Sequence, residues 1–267
     1  MIPLIALDID GTLVGSKGFV EDCVWQAVEK AQTAGIKLAV CTGRPCMGVA
    51  KRIAERLSPN GLHIFQNGAH IAYASGEPYK VYALKDKATK ELIKHARKHN
   101  LTLELYTPTN LYVERRTEIG DRHARMIGVT PLVRDLSDVR ENEPVIRAQW
   151  VIPASQVPTV LELELEGVES GMATSPAQEE TFFVSLTQVG VSKGEAVRVL
   201  ADANAIALEH VMAVGDSQGD IPMLEVVGHP VVMNNAPFDL KDRFKVIAGD
   251  IEDCGVVAAF NSALESA

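Results

Sequence analysis

The chain has 267 residues, of which 46% are apolar and 23% charged, and a formal net charge of −9. That length allows one large core or two modest ones; no apolar run approaches a membrane span, and the acidic balance argues against nucleic acid or anionic lipid as a partner while still permitting a phosphate held by local cations. The opening apolar run is broken by Asp8 too early for a signal peptide, so a cytoplasmic location is expected, and Cys23, Cys41, Cys46 and Cys254, which lack zinc-like spacing, are expected as reduced thiols.

Ile2 to Leu7 reads as a short buried parallel strand that delivers Asp8-Ile9-Asp10-Gly11-Thr12 at its carboxyl end. Strand alternation sends Asp8 and Asp10 to one side and Ile9 into the protein. Two carboxylates this close repel unless a hard cation lies between them or a proton is shared. Gly11 lets the backbone turn so that N–H groups face an incoming anion. A helix follows over Val20 to Ala34, with Val20, Val24, Ala27, Val28 and Ala31 on one face and Gly35 as its stop. The next apolar strand, Ile36 to Cys41, ends in Thr42-Gly43-Arg44-Pro45 before a helix from about Met47 to Leu57. His63 to Gln66 then meets Asn67-Gly68 and returns as His70 to Tyr73, a hairpin signal. The pattern so far is β-α-β-α-β, the start of a parallel sheet wound with helices.

Beyond Gly76-Glu77-Pro78 the texture changes. Lys85 to His99 reads as a polar helix with a narrow stripe of Ala88, Leu92, Ile93 and Ala96, and Leu101 to Tyr106 and Leu111 to Glu114 read as exposed strands. A helix over Glu118 to Ile127, a strand over Arg147 to Ile152, a helix over Gln156 to Glu164 and a strand over Thr181 to Leu186 complete the section. Surface loops are expected over Arg134 to Pro144 and Ser175 to Glu180. This mixture predicts an α+β insertion whose mostly antiparallel sheet is covered on one face.

From Val191 the parallel-sheet texture resumes. Ser192-Lys193-Gly194-Glu195 is a capping-box pattern opening a helix that runs to about Ala203. A strand over Val211 to Val214 leads into Gly215-Asp216-Ser217-Gln218-Gly219-Asp220 and a short helix over Ile221 to Val226. Strands at Val231 to Met233 and Val246 to Ala248 and a closing helix from Gly255 to Leu264 follow. The predicted fold is therefore α/β: a Rossmann-like core from residues 1–81 and 189–267, with an α+β domain of residues 82–188 inserted into it.

Asp8 and Asp10, Thr42, Lys193, and Asp216 and Asp220 all fall at strand ends or a helix start, where ligands bind in an open α/β sheet. The combination suits a phosphate ester: carboxylates and phosphate oxygens suit Mg²⁺, Lys193 and free N–H groups at a helix start converge on an anion, and Thr42 adds a hydroxyl. Other readings stay open residue by residue. Asp220 either binds metal or caps the helix after it, Thr42 either donates to phosphate or caps, Asn67 serves its turn or a substrate, and Arg44 meets substrate, the insertion or an acid.

In order and spacing, Asp8-Ile9-Asp10-Gly11-Thr12-Leu13, Cys41-Thr42-Gly43-Arg44, Val191-Ser192-Lys193-Gly194 and Gly215-Asp216 resemble the four motifs of the haloacid dehalogenase superfamily. The insertion resembles the large cap of its Cof-type (type IIB) sugar-phosphatase branch. Asn67-Gly68 and Met233-Asn234-Asn235-Ala236 also fall where that branch has similar residues. The resemblance implies a Mg²⁺-dependent phosphatase of small phosphorylated metabolites, sugar phosphates foremost, acting as a monomer or small homo-oligomer. Asp8 is then the nucleophile and Asp10 the acid and base. Thr42, Gly43 and Lys193 hold phosphate, while Asp8, Asp10, Asp216 and Asp220 serve the metal, and Arg44 and Asn67 are candidate substrate contacts. Two alternatives share these residues: a phosphomutase, and a weakly active protein that binds a phosphorylated ligand. One departure stands out, since Gly219 occupies the place of the motif's usual Asn.

Overall fold

The computed structural model describes residues 2–175 and 178–265. In the first third, β1 (Leu4–Leu7), α1 (Asp22–Thr33), β2 (Lys37–Val40), α2 (Gly48–Leu57) and β3 (Leu62–Phe65) alternate, and β4 (His70–Tyr73) and β5 (Pro78–Val81) follow. The central section runs α3 (Asp86–His99), β6 (Leu103–Tyr106), β7 (Leu111–Val113), α4 (Glu118–Ile127), β8 (Leu132–Val133), α5 (Leu136–Asn142), β9 (Arg147–Pro153), α6 (Val157–Leu161), β10 (Val168–Ser175) and β11 (Gln178–Gln188). The last third comprises α7 (Lys193–Ala203), β12 (Val211–Gly215), α8 (Ile221–Val226), β13 (His229–Val232), α9 (Phe238–Phe244) and α10 (Val257–Glu265).

The chain's two ends build one sheet, in the order β13-β12-β1-β2, with every pairing parallel. A parallel bridge from Cys41 to Ile64 carries it on to the β3-β4-β5 sheet, whose neighbours are antiparallel. Alternation along β1 fixes the packing: Ile5 and Leu7 face α1, α2 and α10, while Leu4 and Ala6 face α7, α8 and α9. Both faces are therefore buried, which is why these strands read as continuous apolar runs. Val246 to Ala248 contributes one bridge, Val232 to Ile247, rather than a strand of its own.

The packing of α1 beside α10 overturns one expectation. Cys23 on α1 and Cys254 just before α10 cover the same sheet face with Cα atoms 6.4 Å apart, and they form a disulfide. Cys41 and Cys46 remain free and buried.

The central section folds on its own six-stranded sheet, β10-β11-β9-β6-β7-β8, antiparallel except between β7 and β8. One face packs Leu103, Leu105, Ala148, Trp150, Ile152, Val184 and Leu186 against α3, α5 and α6. The opposite face carries Glu104, Tyr106, Arg147, Gln149 and Ser185, linked by hydrogen bonds. Covering on both sides leaves β6 and β7 buried throughout, not exposed. The expected loop from Arg134 to Pro144 contains α5, whose buried Leu136 and Val139 close the apolar face and whose N-cap Asp135 accepts from Ser137 N–H. Of the expected loop from Ser175 to Glu180, Ser175 and Gln178 are strand ends and residues 176–177 lie outside the described residues. Among the described residues no helix is long and apolar enough to cross a membrane.

Candidate active site

The carboxyl ends of β1, β2 and β12 and the start of α7 converge on one point. Asp8 ends β1 and is 5% exposed, while Ile9 turns into the core and is fully buried. Lys193, the first residue of α7, reaches over the sheet edge: its Nζ donates to Asp8 Oδ1 at 2.7 Å and to Asp220 Oδ1 at 2.6 Å. Its helix is capped by Ser192, whose hydroxyl accepts from Glu195 N–H. Asp220 is fully buried, and its other oxygen accepts from Asp216 N–H, Ser217 N–H and Ser217 Oγ at 3.1, 2.9 and 2.9 Å. Both Asp220 oxygens are thus occupied, and the residue ties the loop after β12 to Lys193. It does not cap α8 with its side chain; the capping box it shares with Ser217 closes the single turn before that helix.

Asp216 directly follows β12. Thr12 Oγ1 donates to its Oδ1 at 3.3 Å, and Asn235 Nδ2 lies 3.4 Å from its Oδ2 while also donating to the Gly11 carbonyl at 2.9 Å. Gly11 has φ +79°, and a Cβ there would stand 2.1 Å from Asp216 Oδ2. A side chain at position 11 would therefore fill the space that Asp216 occupies. One oxygen each of Asp8, Asp216 and Asp220 lies within 4.8 Å of the others.

Asp10 stands apart from this cluster. Its side chain is 57% exposed, and Arg44 grips it with both arms, Nε to Oδ2 at 2.7 Å and Nη2 to Oδ1 at 2.6 Å. Thr42 is buried, and its Oγ1 accepts from Arg44 N–H at 3.1 Å, so it shapes its own loop and leaves α2 to begin at Gly48. Asn67 has φ 55° between Gln66 at 53° and Gly68 at 105°. Its N–H binds the Thr42 carbonyl at 3.0 Å, and its side chain lies against Gly43, where a Cβ would be 2.9 Å from Asn67 Oδ1.

A profile of the haloacid dehalogenase-like hydrolases matches residues 5–260. The chain belongs to this family. It is 29% identical over 276 residues to the phosphatase YwpJ of Bacillus subtilis, covering 95% of this chain and 96% of that one. A haloacid dehalogenase-like hydrolase from Bacteroides thetaiotaomicron superposes with a TM-score of 0.87 at 25% identity, over 98% of this chain and 99% of the other. A subclass IIB sugar phosphatase of the same superfamily shares the fold, with a TM-score of 0.79 at 22% identity over 97% and 98% of the two chains.

The electrostatics of this candidate site follow from its charge count. Two carboxylates share one ammonium at Lys193, and Asp216 adds a third acid nearby. Burial and then the Asp220 charge hold the Asp8 carboxyl well above the ordinary carboxylate range, with Lys193 pulling the other way. The same two causes, in the same order, push Asp216 up to about 7. Burial opposes the Lys193 charge, but Asp220 and Asp8 outweigh it and hold the ammonium protonated.

Several residues that complete the site carry little sequence signal. Thr12 and Asn235 belong to the quoted motifs, but their bonds to Asp216 depend on a loop brought in from the far end of the chain. Of the insertion's cations, the sequence offers Arg115, Arg116, His123 and Arg147 alike as candidates to meet a substrate; the first three turn to Asn100, Asp121 and Glu104, while Arg147 reaches the loop after β2. At Gly219 a Cβ would meet only Ser217 Oγ, at 3.6 Å. Gln218 points away to Asp239, and Ser217 alone of the two contributes a side chain to the acidic cluster.

Proposed function

We propose that this hydrolase is a Mg²⁺-dependent phosphatase of small phosphorylated metabolites, of the sugar-phosphate class, acting through an aspartyl-phosphate on Asp8. The observation that carries the reading is the state of Asp8: Oδ1 is pinned by Lys193, while no described hydrogen bond reaches Oδ2. A carboxylate oriented by one oxygen and open at the other is prepared to attack. A hard divalent cation fits the donor set, because the buried acids outnumber the single ammonium and their oxygens stand close together. Asp8, Asp216 and the backbone of Asp10 would hold it, with Asp220 holding the loop from behind. Bound there, it supplies positive charge that offsets the repulsion between the nucleophile and the phosphate.

The residues divide the reaction between them. Asp8 Oδ2 forms a bond to phosphorus as the ester oxygen leaves, and Asp10 gives that oxygen a proton. Water then attacks phosphorus, Asp10 takes its proton, and the Asp8–phosphate bond breaks to release phosphate. Lys193 and the Thr42 hydroxyl hold the charge on the transferring group. Arg44 occupies both Asp10 oxygens, so Asp10 serves as acid only once Arg44 has turned to the substrate. Residues 82–188 act as a cap that selects the leaving group and excludes water.

Phosphate release from a panel of sugar phosphates and one aryl phosphate, with Mg²⁺ or with chelator, tests the reading. Turnover should require the cation, and Asp8→Asn should abolish it with the fold intact. Substantial turnover by Asp8→Asn would overturn the covalent route. Replacing residues 82–188 with a short linker should spare some aryl phosphate hydrolysis and erase discrimination among the sugars.

A further inference from the structure

Arg147 crosses from the central sheet to the loop after β2. Its Nη1 donates to the Gly43 carbonyl at 2.7 Å and to Gln66 Oε1 at 2.9 Å. Behind it, Nη2 is held by Ser185 Oγ at 2.7 Å and by Gln149 Oε1, and the guanidinium stands 5.3 Å from the centre of the Tyr106 ring. All these partners are neutral. The balancing charge sits one layer deeper, at Glu104, which accepts from Tyr106 Oη at 2.7 Å and from Gln149 Nε2 at 3.2 Å. Paired with no carboxylate among the described residues and with its Nε buried and unbonded, the cation makes four charge-assisted hydrogen bonds, and the one that reaches backbone is to the Gly43 carbonyl.

That contact completes a clamp. The peptide between Gly43 and Arg44 is held at its oxygen by Arg147 and at its N–H by Thr42 Oγ1. Because Thr42 Oγ1 accepts from Arg44, its own proton remains available to donate. The Gly43 N–H also has no described acceptor. Next to this loop, Gln66 and Asn67 hold left-handed φ angles of 53° and 55°, a conformation that costs a residue with a side chain roughly 1–2 kcal/mol. It persists where neighbours over-determine it, here Arg147 on the Gln66 side chain and the Thr42 carbonyl on the Asn67 N–H.

We infer that Arg147 is a positioning residue for the phosphate-binding loop. It fixes the Gly43–Arg44 peptide so that the Thr42 hydroxyl and the Gly43 N–H are presented to the transferring phosphoryl group, and it does so only while the central sheet is seated on the loop. Seating the cap and completing the phosphate site are then one event. This inference rests on the phosphatase reading above.

The test uses Arg147→Ala and Arg147→Lys in the full chain, with an aryl phosphate, a sugar-phosphate panel, inhibition by inorganic phosphate, and amide hydrogen exchange over residues 42–47. Misplacing a reacting group by about an ångström costs on the order of 10²-fold, so Arg147→Ala should lower kcat by about that factor on every ester alike, the aryl phosphate included. Inhibition by inorganic phosphate should weaken, and the Arg44 amide should exchange faster. Arg147→Lys, whose ammonium can still reach the Gly43 carbonyl, should recover part of the loss and remains informative if the alanine variant fails to fold. A loss confined to sugar phosphates would make Arg147 a reader of the leaving group and overturn the inference, as would unchanged kcat and exchange. If the wild type hydrolyses no ester at all, the phosphatase reading fails instead, and the exchange rate still decides whether Arg147 holds the loop.

Discussion

Lys193→Met is the sharpest probe of the charge balance at the sheet's edge. Methionine keeps the length and apolar stem of lysine but removes the ammonium, which lies between carboxylate side chains that are only 7% and 0% exposed. Removing one partner of a buried ion pair costs about 3–5 kcal/mol, which lowers Tm by about 6–20 °C in a chain of this size. The loss should depend on pH. Asp216 sits at about 7 in the folded chain against 3.8 for a free carboxyl, and Asp8 is raised as well. A carboxyl raised by folding contributes stability that is present below its unfolded value and is lost as pH climbs through its folded value. In chelator the wild type should therefore weaken between about pH 4 and 7, and Lys193→Met should weaken more steeply, with no ammonium to offset the surplus charge. Thermal unfolding in chelator from pH 4 to 8 measures both slopes, and adding Asp220→Asn to the variant should recover much of the loss. If Lys193→Met melts within about 2 °C of the wild type at pH 7 with the same slope, the buried triad is not the charge-balanced unit described here.

Gly11→Ala should destabilise the chain by more than 1 kcal/mol and abolish thermal protection by Mg²⁺, because φ is +79° and the new Cβ would meet Asp216 Oδ2 at 2.1 Å; a melt with and without the cation checks it. Ser217→Ala removes a hydroxyl from Asp220 and should cost about 1 kcal/mol together with a loss of activity. Gly219→Asn has room for its Cβ and should leave melting unchanged, so Mg²⁺ activation curves of these two variants and the wild type show which loop residue organises the acids. Cys23→Ser should lower Tm by an amount corresponding to about 2–4 kcal/mol, and reductant should bring the wild type to the same midpoint; a wild type indifferent to reductant would refute the bridge.

The core and its acidic site were legible because their signals are local. A strand buried on both faces is an apolar run whatever lies beside it, and the polar residues that end β1, β2 and β12 sit next to those runs in sequence. The helix expected near Glu118 to Ile127 stands at those residues, and the structure adds Thr117 as its cap. What escaped depends on partners distant in the chain. The burial of Tyr106 and Glu104 required knowing that β9, 41 residues on from Tyr106, would bring Arg147 opposite it. The strand β10 is exposed over most of its described length and takes its structure from pairing with β11, so no apolar pattern announces it. Cys23 and Cys254 are 231 positions apart, and only the packing of two helices on one sheet face makes them a pair.

The place of β1 has a consequence for how the chain is made. Leu4–Leu7 lies between β2 and β12, so its second neighbour, Val211–Val214, leaves the ribosome only after the whole central section has emerged. Until then this wholly apolar strand has an unpaired edge, the kind of surface that recruits other chains. The central section, by contrast, closes its own sheet from strands within one stretch of sequence, so none of its pairings waits for the last third. A chain halted after Gln188 would hold every strand of the central sheet but an incomplete core sheet, and synthesis of the last third both seals that edge and brings Lys193 and Asp216 to Asp8. The acidic cluster and the protection against aggregation are completed by the same segment, so a partly made protein exposes a sticky strand before Asp8 has its partners.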